Sequence, residues 1–180
     1  MKKGVILLLC LSLFGCSKSI VSIEGSVDKT LCEKVNAQYN SLPDSLKKEC
    51  KSIVLCDLDS FEINDEEIVY GNYKDNTVML LVDERTKSIK DYKAVLVHEI
   101  GHILDDTYHY SSSKKFKKLY EDNGVEYYDL GIHNAKEFFC EALILYITSP
   151  KELKDWSVDV YKYLKTDICW LNRYIGDSLI

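Results

Sequence analysis

Several features that would place a chain in a common protein class are missing here. No basic cluster runs along its 180 residues and the net charge is −6, so nucleic acid is not an expected partner. No apolar run reaches the roughly 20 residues that a membrane-spanning helix needs. None of the seven cysteines forms a Cys-x-x-Cys pair, a spacing of many zinc and redox sites. Without internal repeats, the length predicts one domain with a single core.

The N-terminus predicts export. Lys2 and Lys3 precede a short apolar run over residues 5–13, as in a signal peptide. The following residues 13–16, Leu-Phe-Gly-Cys, resemble the lipobox of bacterial lipoproteins, in which the cysteine carries the lipid; an ordinary secretory cut is the alternative. We therefore expect a lipoprotein-type signal peptide over residues 1–15 and a polar tether over 16–26. The protein would then be secreted or lie on the extracellular face of a bacterial membrane, with membrane contact only through Cys16.

The strongest chemical signal is the sequence His-Glu-Ile-Gly-His at residues 98–102. Two histidines four positions apart share one side of a helix, where both imidazoles can bind one Zn²⁺ at about 2.0–2.1 Å. Glu99 stands where the general base of metal-assisted peptide hydrolysis is found. No proline interrupts residues 92–106, and apolar side chains line one side, which predicts a helix. A chance match in an inactive helix is the alternative, but it is uncommon in a chain with four histidines.

A catalytic zinc needs a third protein ligand, and the sequence offers three sources. His109 would lie about 10.5 Å along the helix axis from His102, too far to share a metal. Glu137 and Glu141 lie one turn apart in a segment rich in aromatic residues, where a carboxylate is costly to bury unless paired or metal-bound. One of them could bind zinc while the other orients a histidine, or both could be solvent-facing helix charges. His133, in the preceding loop, is the third source.

The remaining pattern predicts an α+β fold, mostly helical, with a small mixed sheet next to the metal-binding helix. Turn chemistry is expected at residues 71–72 and 74–76. The strand before the metal-binding helix could offer an exposed edge to an extended substrate, or it could be fully internal. Strands are predicted over residues 52–56 and 77–82, with a weaker candidate at 67–70; helices are predicted over 28–40, 92–106, 114–121, 135–147 and 150–164.

Two segments together resemble the catalytic domain of anthrax lethal factor and the related secreted Pro-Pro endopeptidases. They are His-Glu-Ile-Gly-His at 98–102 and Glu-Phe-Phe-Cys-Glu-Ala at 137–142, and the resemblance covers residues 90–165. It implies a zincin-like metallopeptidase domain, which we place over residues 27–180. It further implies the zinc ligands His98, His102 and Glu137, the general base Glu99 and the supporting residue Glu141.

The sequence departs from that family at one position. The family has a tyrosine seven residues before the ligand glutamate, where it steadies the developing oxyanion, but this chain has Leu130 there. Tyr127, Tyr128 or His133 could replace it. Loss of one oxyanion donor costs about 10²–10³ in turnover in a well-studied protease.

Two functions follow from these patterns. The first is a zinc-dependent endopeptidase, secreted or surface-anchored, with Zn²⁺ as cofactor and extracellular proteins or peptides as substrates. The second is a non-catalytic metal-binding lipoprotein that retains the peptidase fold. The intact His-Glu-x-x-His favours the enzyme. Resemblance to Pro-Pro endopeptidases makes proline-rich peptides the first substrates to test, and the sequence indicates no oligomeric state.

Overall fold

The computed structural model describes residues 20–59, 70–82, 92–123 and 134–168. Their helices and strands confirm the predicted α+β class, mostly helical with a small mixed sheet. The strands are β1 (Val21–Glu24), β2 (Ser52–Cys56), β3 (Gly71–Lys74) and β4 (Thr77–Leu81). The helices are α1 (Lys29–Asn40), α2 (Asp44–Lys47), α3 (Lys93–Tyr108), α4 (Lys114–Asn123), α5 (Ala135–Thr148), α6 (Pro150–Trp156) and α7 (Val158–Thr166).

The sheet has the strand order β1-β2-β4-β3, with two parallel pairs and an antiparallel β3–β4 hairpin. Asp75 and Asn76 form the hairpin turn with φ values of 51° and 64°, which is the positive-φ backbone that two-residue hairpins favour. The predicted turn at 74–76 therefore lies at the right place. The predicted turn at 71–72 is wrong, because pairing with β4 extends these residues into β3. Of the weak strand candidate 67–70, only Tyr70 lies within the described residues, and it precedes β3.

The sheet positions α3. Alternate residues of β2 and β4 point to one face, where Ile53, Leu55, Val78 and Leu80 are fully buried. They join a core that includes apolar residues of α3 and α5. Burying each such side chain contributes about 1.5–3 kcal/mol. Among the strands that the structure describes, β4 is internal in the sheet and β3 lies at its edge.

The two site-bearing helices approach each other closely at Gly101 of α3. A Cβ atom at this position would lie 3.0 Å from Cys140 Sγ and 3.3 Å from Cys140 Cα on α5. Glycine removes that obstacle and lets the helices pack at short range. The face of α3 that carries the two histidines is consequently covered by α5.

Helix ends are set by local capping. The side chain of Asn134 accepts hydrogen bonds from the backbone N–H groups of Lys136 and Glu137 and so starts α5. Ser157 is extended and caps α7, so the single final helix predicted to begin at residue 150 is divided into α6 and α7. Within the described ranges, no helix has both the length and the apolar character required to cross a lipid bilayer.

Candidate metal centre

Three donor groups meet between α3 and α5. Nε2 of His98 lies 3.1 Å from Nε2 of His102. The carboxylate of Glu137 approaches both nitrogens, with Oε2 at 3.2 Å from His98 Nε2 and Oε1 at 3.5 Å from His102 Nε2. The helical spacing of the histidines and the capped start of α5 bring these atoms together. Their role as metal ligands stays a prediction.

The spacing of these atoms fits a zinc ion. Four donors at about 2.0–2.1 Å in a tetrahedron are separated from one another by about 3.3 Å, and the three distances of 3.1, 3.2 and 3.5 Å fall around this value. Two imidazoles and one carboxylate are also a ligand set found in catalytic zinc sites, which leave a fourth position open. The residues present therefore fit the metal that the sequence predicts.

Electrostatics favour a cation among these donors. Burial opposes protonation of His98, but its hydrogen bonds with Glu137 and Glu141 outweigh burial and raise its pKa to about 10. Burial likewise opposes the charged form of Glu137, but the hydrogen bond with His98 prevails and lowers its pKa. A proton on His98 thus balances the carboxylates, and a divalent cation would supply the same compensation.

The other nitrogen of His98 is held by the second glutamate of α5. Its Nδ1 lies 3.0 Å from Oε1 of Glu141, which stands one turn after Glu137. Ligand histidines are commonly oriented in this way by a carboxylate on the nitrogen that does not bind the metal. The sequence left open that Glu137 and Glu141 are both solvent-facing helix charges. The structure does not fit this alternative, because both carboxylates contact His98.

His102 has different neighbours. Its Nδ1 faces the thiol of Cys140 at 3.4 Å, and the ring of Tyr73 stacks on its imidazole with centroids 5.1 Å apart and planes 13° apart. Burial lowers the pKa of His102 to about 4. The ring is therefore neutral, as a metal-binding imidazole must be.

Cys140 is a second candidate donor, which the sequence analysis did not single out. Donor atoms of His98, His102 and Cys140 lie within 4.8 Å of one another, so this group could hold a metal ion. However, its thiol is at the Nδ1 side of His102, opposite the nitrogen that faces Glu137. Burial also raises the pKa of Cys140 well above its usual range, and metals bind the thiolate. Glu137 is the better third donor.

Glu99 is buried against the edge strand. The residue is only 5% exposed, and a Cβ atom placed on Gly71 of β3 would lie 2.7 Å from its Oε1. The glycine thus leaves the space that the carboxylate occupies. Burial raises the pKa of Glu99 to about 7, against the opposing effect of His98. A carboxyl group with this pKa can exchange a proton near neutral pH, as a general base requires.

Other residues singled out in the sequence do not join this centre. His109 has φ of 57° and ends α3, with its N–H donating to the carbonyl of Asp105 at 2.7 Å, and its side chain is exposed. The candidate oxyanion donors Tyr127, Tyr128 and His133, together with Leu130, lie outside the described residues. The same holds for the signal peptide and Cys16.

The fold and these donors define an α+β domain in which a His-x-x-x-His helix faces a carboxylate from a second helix. Residues 61–167, more than half of the chain, match the family described as "Anthrax toxin lethal factor, N- and C-terminal domain". The chain therefore belongs to this family, which confirms the predicted resemblance. The matched segment includes β3, β4 and α3 through α7, and hence the whole centre. No curated protein shows a significant match to the chain.

Proposed function

We propose that this protein is a zinc-dependent endopeptidase. The main support is that Nε2 of His98, Nε2 of His102 and the carboxylate oxygens of Glu137 lie within 3.1–3.5 Å of one another. Glu99 lies buried on the same helix, one residue after the first histidine. Membership of the lethal factor family supports a relation to metallopeptidases.

In this proposal the side chains divide the chemistry of peptide hydrolysis. Zinc, when bound, would polarise the scissile carbonyl and make water a better nucleophile near neutral pH. Glu99 accepts the proton of the attacking water and delivers it to the leaving amine. Glu141 holds the ring of His98 through Nδ1. Gly71, which has no side chain, leaves room beside β3 for the Glu99 carboxylate.

The edge strand β3 gives the peptide a place to lie. Within the described residues β3 pairs with β4 alone, and its first residue touches Glu99. An extended peptide can add to such an edge through main-chain hydrogen bonds. We further propose that the substrate is an extracellular protein and that the chain reaches it by a lipoprotein signal over residues 1–15 and a tether over 16–26.

A non-catalytic metal-binding lipoprotein is the second candidate. Leu130 favours this second function. It occupies the position at which the peptidases that this sequence resembles have an oxyanion-stabilising tyrosine. Such a protein would bind zinc with the same three side chains but would not turn over peptides. Metal content alone therefore does not distinguish the two functions.

Peptide digestion by the full chain tests the proposal. We expect cleavage of a peptide library that includes proline-rich sequences, loss of cleavage with a chelator and recovery with zinc. Glu99→Gln should abolish cleavage and leave zinc binding intact, since it removes the proton acceptor but no ligand. Glu121→Gln, at an exposed position of α4, is the matched control and should cleave like the parent. Zinc-loaded parent that cleaves nothing, or substantial cleavage by Glu99→Gln, would contradict the proposal.

A further inference from the structure

The two histidines of the centre are restrained by unequal means. His98 has the carboxylate of Glu141 at its Nδ1, whereas Nδ1 of His102 faces the thiol of Cys140. A thiol is a weak hydrogen-bond acceptor. A metal-binding histidine usually has a carboxylate, a carbonyl or water at this nitrogen, which fixes the plane of its ring. His102 needs another restraint if its Nε2 is to stay directed toward His98 and Glu137.

Tyr73 of β3 provides a flat surface for that ring. The two rings are nearly parallel, at 13°, with centroids 5.1 Å apart. Offset stacking of this kind contributes about 0.5–1.5 kcal/mol beyond buried area in pairs of aromatic side chains. A stacked ring also resists rotation of its partner out of the shared plane.

The hydroxyl of Tyr73 is itself held at two points. It donates to Oδ2 of Asp106 at 2.7 Å and accepts from Nζ of Lys136 at 2.7 Å. Lys136 also donates to Oδ1 of Asp106 at 2.7 Å, which closes a three-membered polar cluster. The Lys136 ammonium lies 5.2 Å from the centroid of the Tyr73 ring. The hydroxyl therefore has both a donor and an acceptor, and the outer end of the ring cannot move away from α3 and α5 without breaking charge-assisted bonds.

The cluster joins the elements that carry the centre. Asp106 follows His102 by one turn of α3, so both lie on the same side of that helix. Lys136 directly precedes Glu137 on α5. Tyr73 thus links β3 to both helices. On α3 the contact is made next to His102, and on α5 it is made next to Glu137.

We propose that Tyr73 is a positioning residue for His102, with Asp106 and Lys136 fixing the tyrosine. Its ring holds the plane of the His102 imidazole so that Nε2 faces His98 and Glu137. Stacking thus does for His102 what the carboxylate of Glu141 does for His98. The inference rests on the proposed metal site, but it concerns how tightly the site binds and not whether peptide is cleaved.

Cobalt binding by the full chain tests this role, because Co²⁺ in a zinc site has a visible spectrum that reports ligand geometry. We expect Tyr73→Leu to weaken Co²⁺ and Zn²⁺ affinity by about 10–100-fold, the range found when a partner that orients a ligand is lost. The cobalt spectrum should change in shape. Tyr73→Phe keeps the ring and should lose less affinity. Lys136→Met should also lose less, because it removes one of the two hydroxyl partners and leaves the bond to Asp106.

Matched controls separate positioning from fold stability. Tyr108→Leu removes a tyrosine at the end of α3 whose hydroxyl donates to Glu49 at 3.2 Å. Lys115→Met breaks a similar cluster, in which Lys115 pairs with Asp167 at 2.7 Å and lies 5.5 Å from the ring centroid of Tyr163. Both controls should leave metal affinity and the cobalt spectrum unchanged, whatever they do to the melting temperature.

The outcomes distinguish this role from the proposed function. Parent-like affinity and spectrum in folded Tyr73→Leu would overturn the positioning role and leave the metal site standing. Absence of cobalt and zinc binding in the parent would overturn both. Should Tyr73→Leu fail to fold, Tyr73→Phe and Lys136→Met decide: weakened affinity in either supports the role, and parent affinity in both overturns it.

Discussion

Glu137 and Glu141 lie one turn apart on α5 and both contact His98, yet they face different nitrogens of its ring. Glu137 lies at Nε2, where His102 Nε2 also points, and Glu141 lies at Nδ1. Their side chains are 31% and 42% exposed, so burial hardly separates them. Identical side chains thus acquire different roles from the nitrogen that each one contacts. Helical spacing brings both glutamates to His98. The packing of α5 on α3 decides which of them lies beside the two Nε2 atoms of His98 and His102.

The largest expected effect comes from removing the glutamate at Nε2. Glu137→Ala should weaken zinc affinity by more than about 100-fold, because loss of a direct ligand exceeds the effect of losing an orienting partner. Competition with a chromophoric chelator measures this affinity.

Cys140→Ser is the control for that variant, since it tests the other candidate donor. Zinc affinity in Cys140→Ser should stay near the parent value, because the thiol faces Nδ1 of His102. Parent-like affinity in Glu137→Ala would remove Glu137 as the third ligand, and a greater loss in Cys140→Ser would assign that place to the thiol.

A second variant, Gly71→Ala, leaves Glu137 and Glu141 in place and is expected to displace the proposed general base, Glu99. Gly71→Ala introduces a Cβ atom 2.7 Å from Oε1 of Glu99, closer than such contacts allow, so a neighbouring group must shift, and we expect the carboxylate to move. We expect kcat to fall by about 10²-fold, the cost of a displacement near 1 Å in a catalytic group. Zinc affinity should change little.

Lys74→Ala, at the exposed end of the same strand, should leave kcat unchanged and so controls for effects on the hairpin. Full activity in a folded Gly71→Ala protein would show that Glu99 does not depend on the edge strand for its position.

The smallest expected effect comes from the glutamate at Nδ1. Glu141→Ala should weaken zinc affinity by about 10–100-fold, because His98 loses the group that fixes its ring. Glu141→Gln should recover part of the loss, since an amide oxygen can still accept from Nδ1. If Glu141→Ala weakens zinc as much as Glu137→Ala does, the two carboxylates do not have distinct roles.

The sequence was sufficient for those parts of the centre that depend on spacing along one helix. His98, Glu99 and His102 share α3, and Glu137 and Glu141 share α5, so their mutual positions follow from helical geometry. The hairpin turn at Asp75 and Asn76 could also be predicted, because these residue types tolerate positive φ.

Contacts between elements could not be predicted from these patterns. Gly71 carried only a turn signal, and the room that it leaves for Glu99 depends on how β3 packs on α3. Tyr73 was one of thirteen tyrosines without a distinguishing pattern. Its stacking on His102 results from the β3–β4 register and from Lys136 and Asp106, which lie far from it in sequence.

Anomalous diffraction at the zinc edge, from crystals of the full chain grown with zinc, would locate the metal and its ligands. We expect one strong peak bonded to Nε2 of His98, Nε2 of His102 and a carboxylate oxygen of Glu137, with Glu141 on Nδ1 of His98. A zinc peak on Cys140 and Nδ1 of His102, or no peak between α3 and α5, would contradict this expectation.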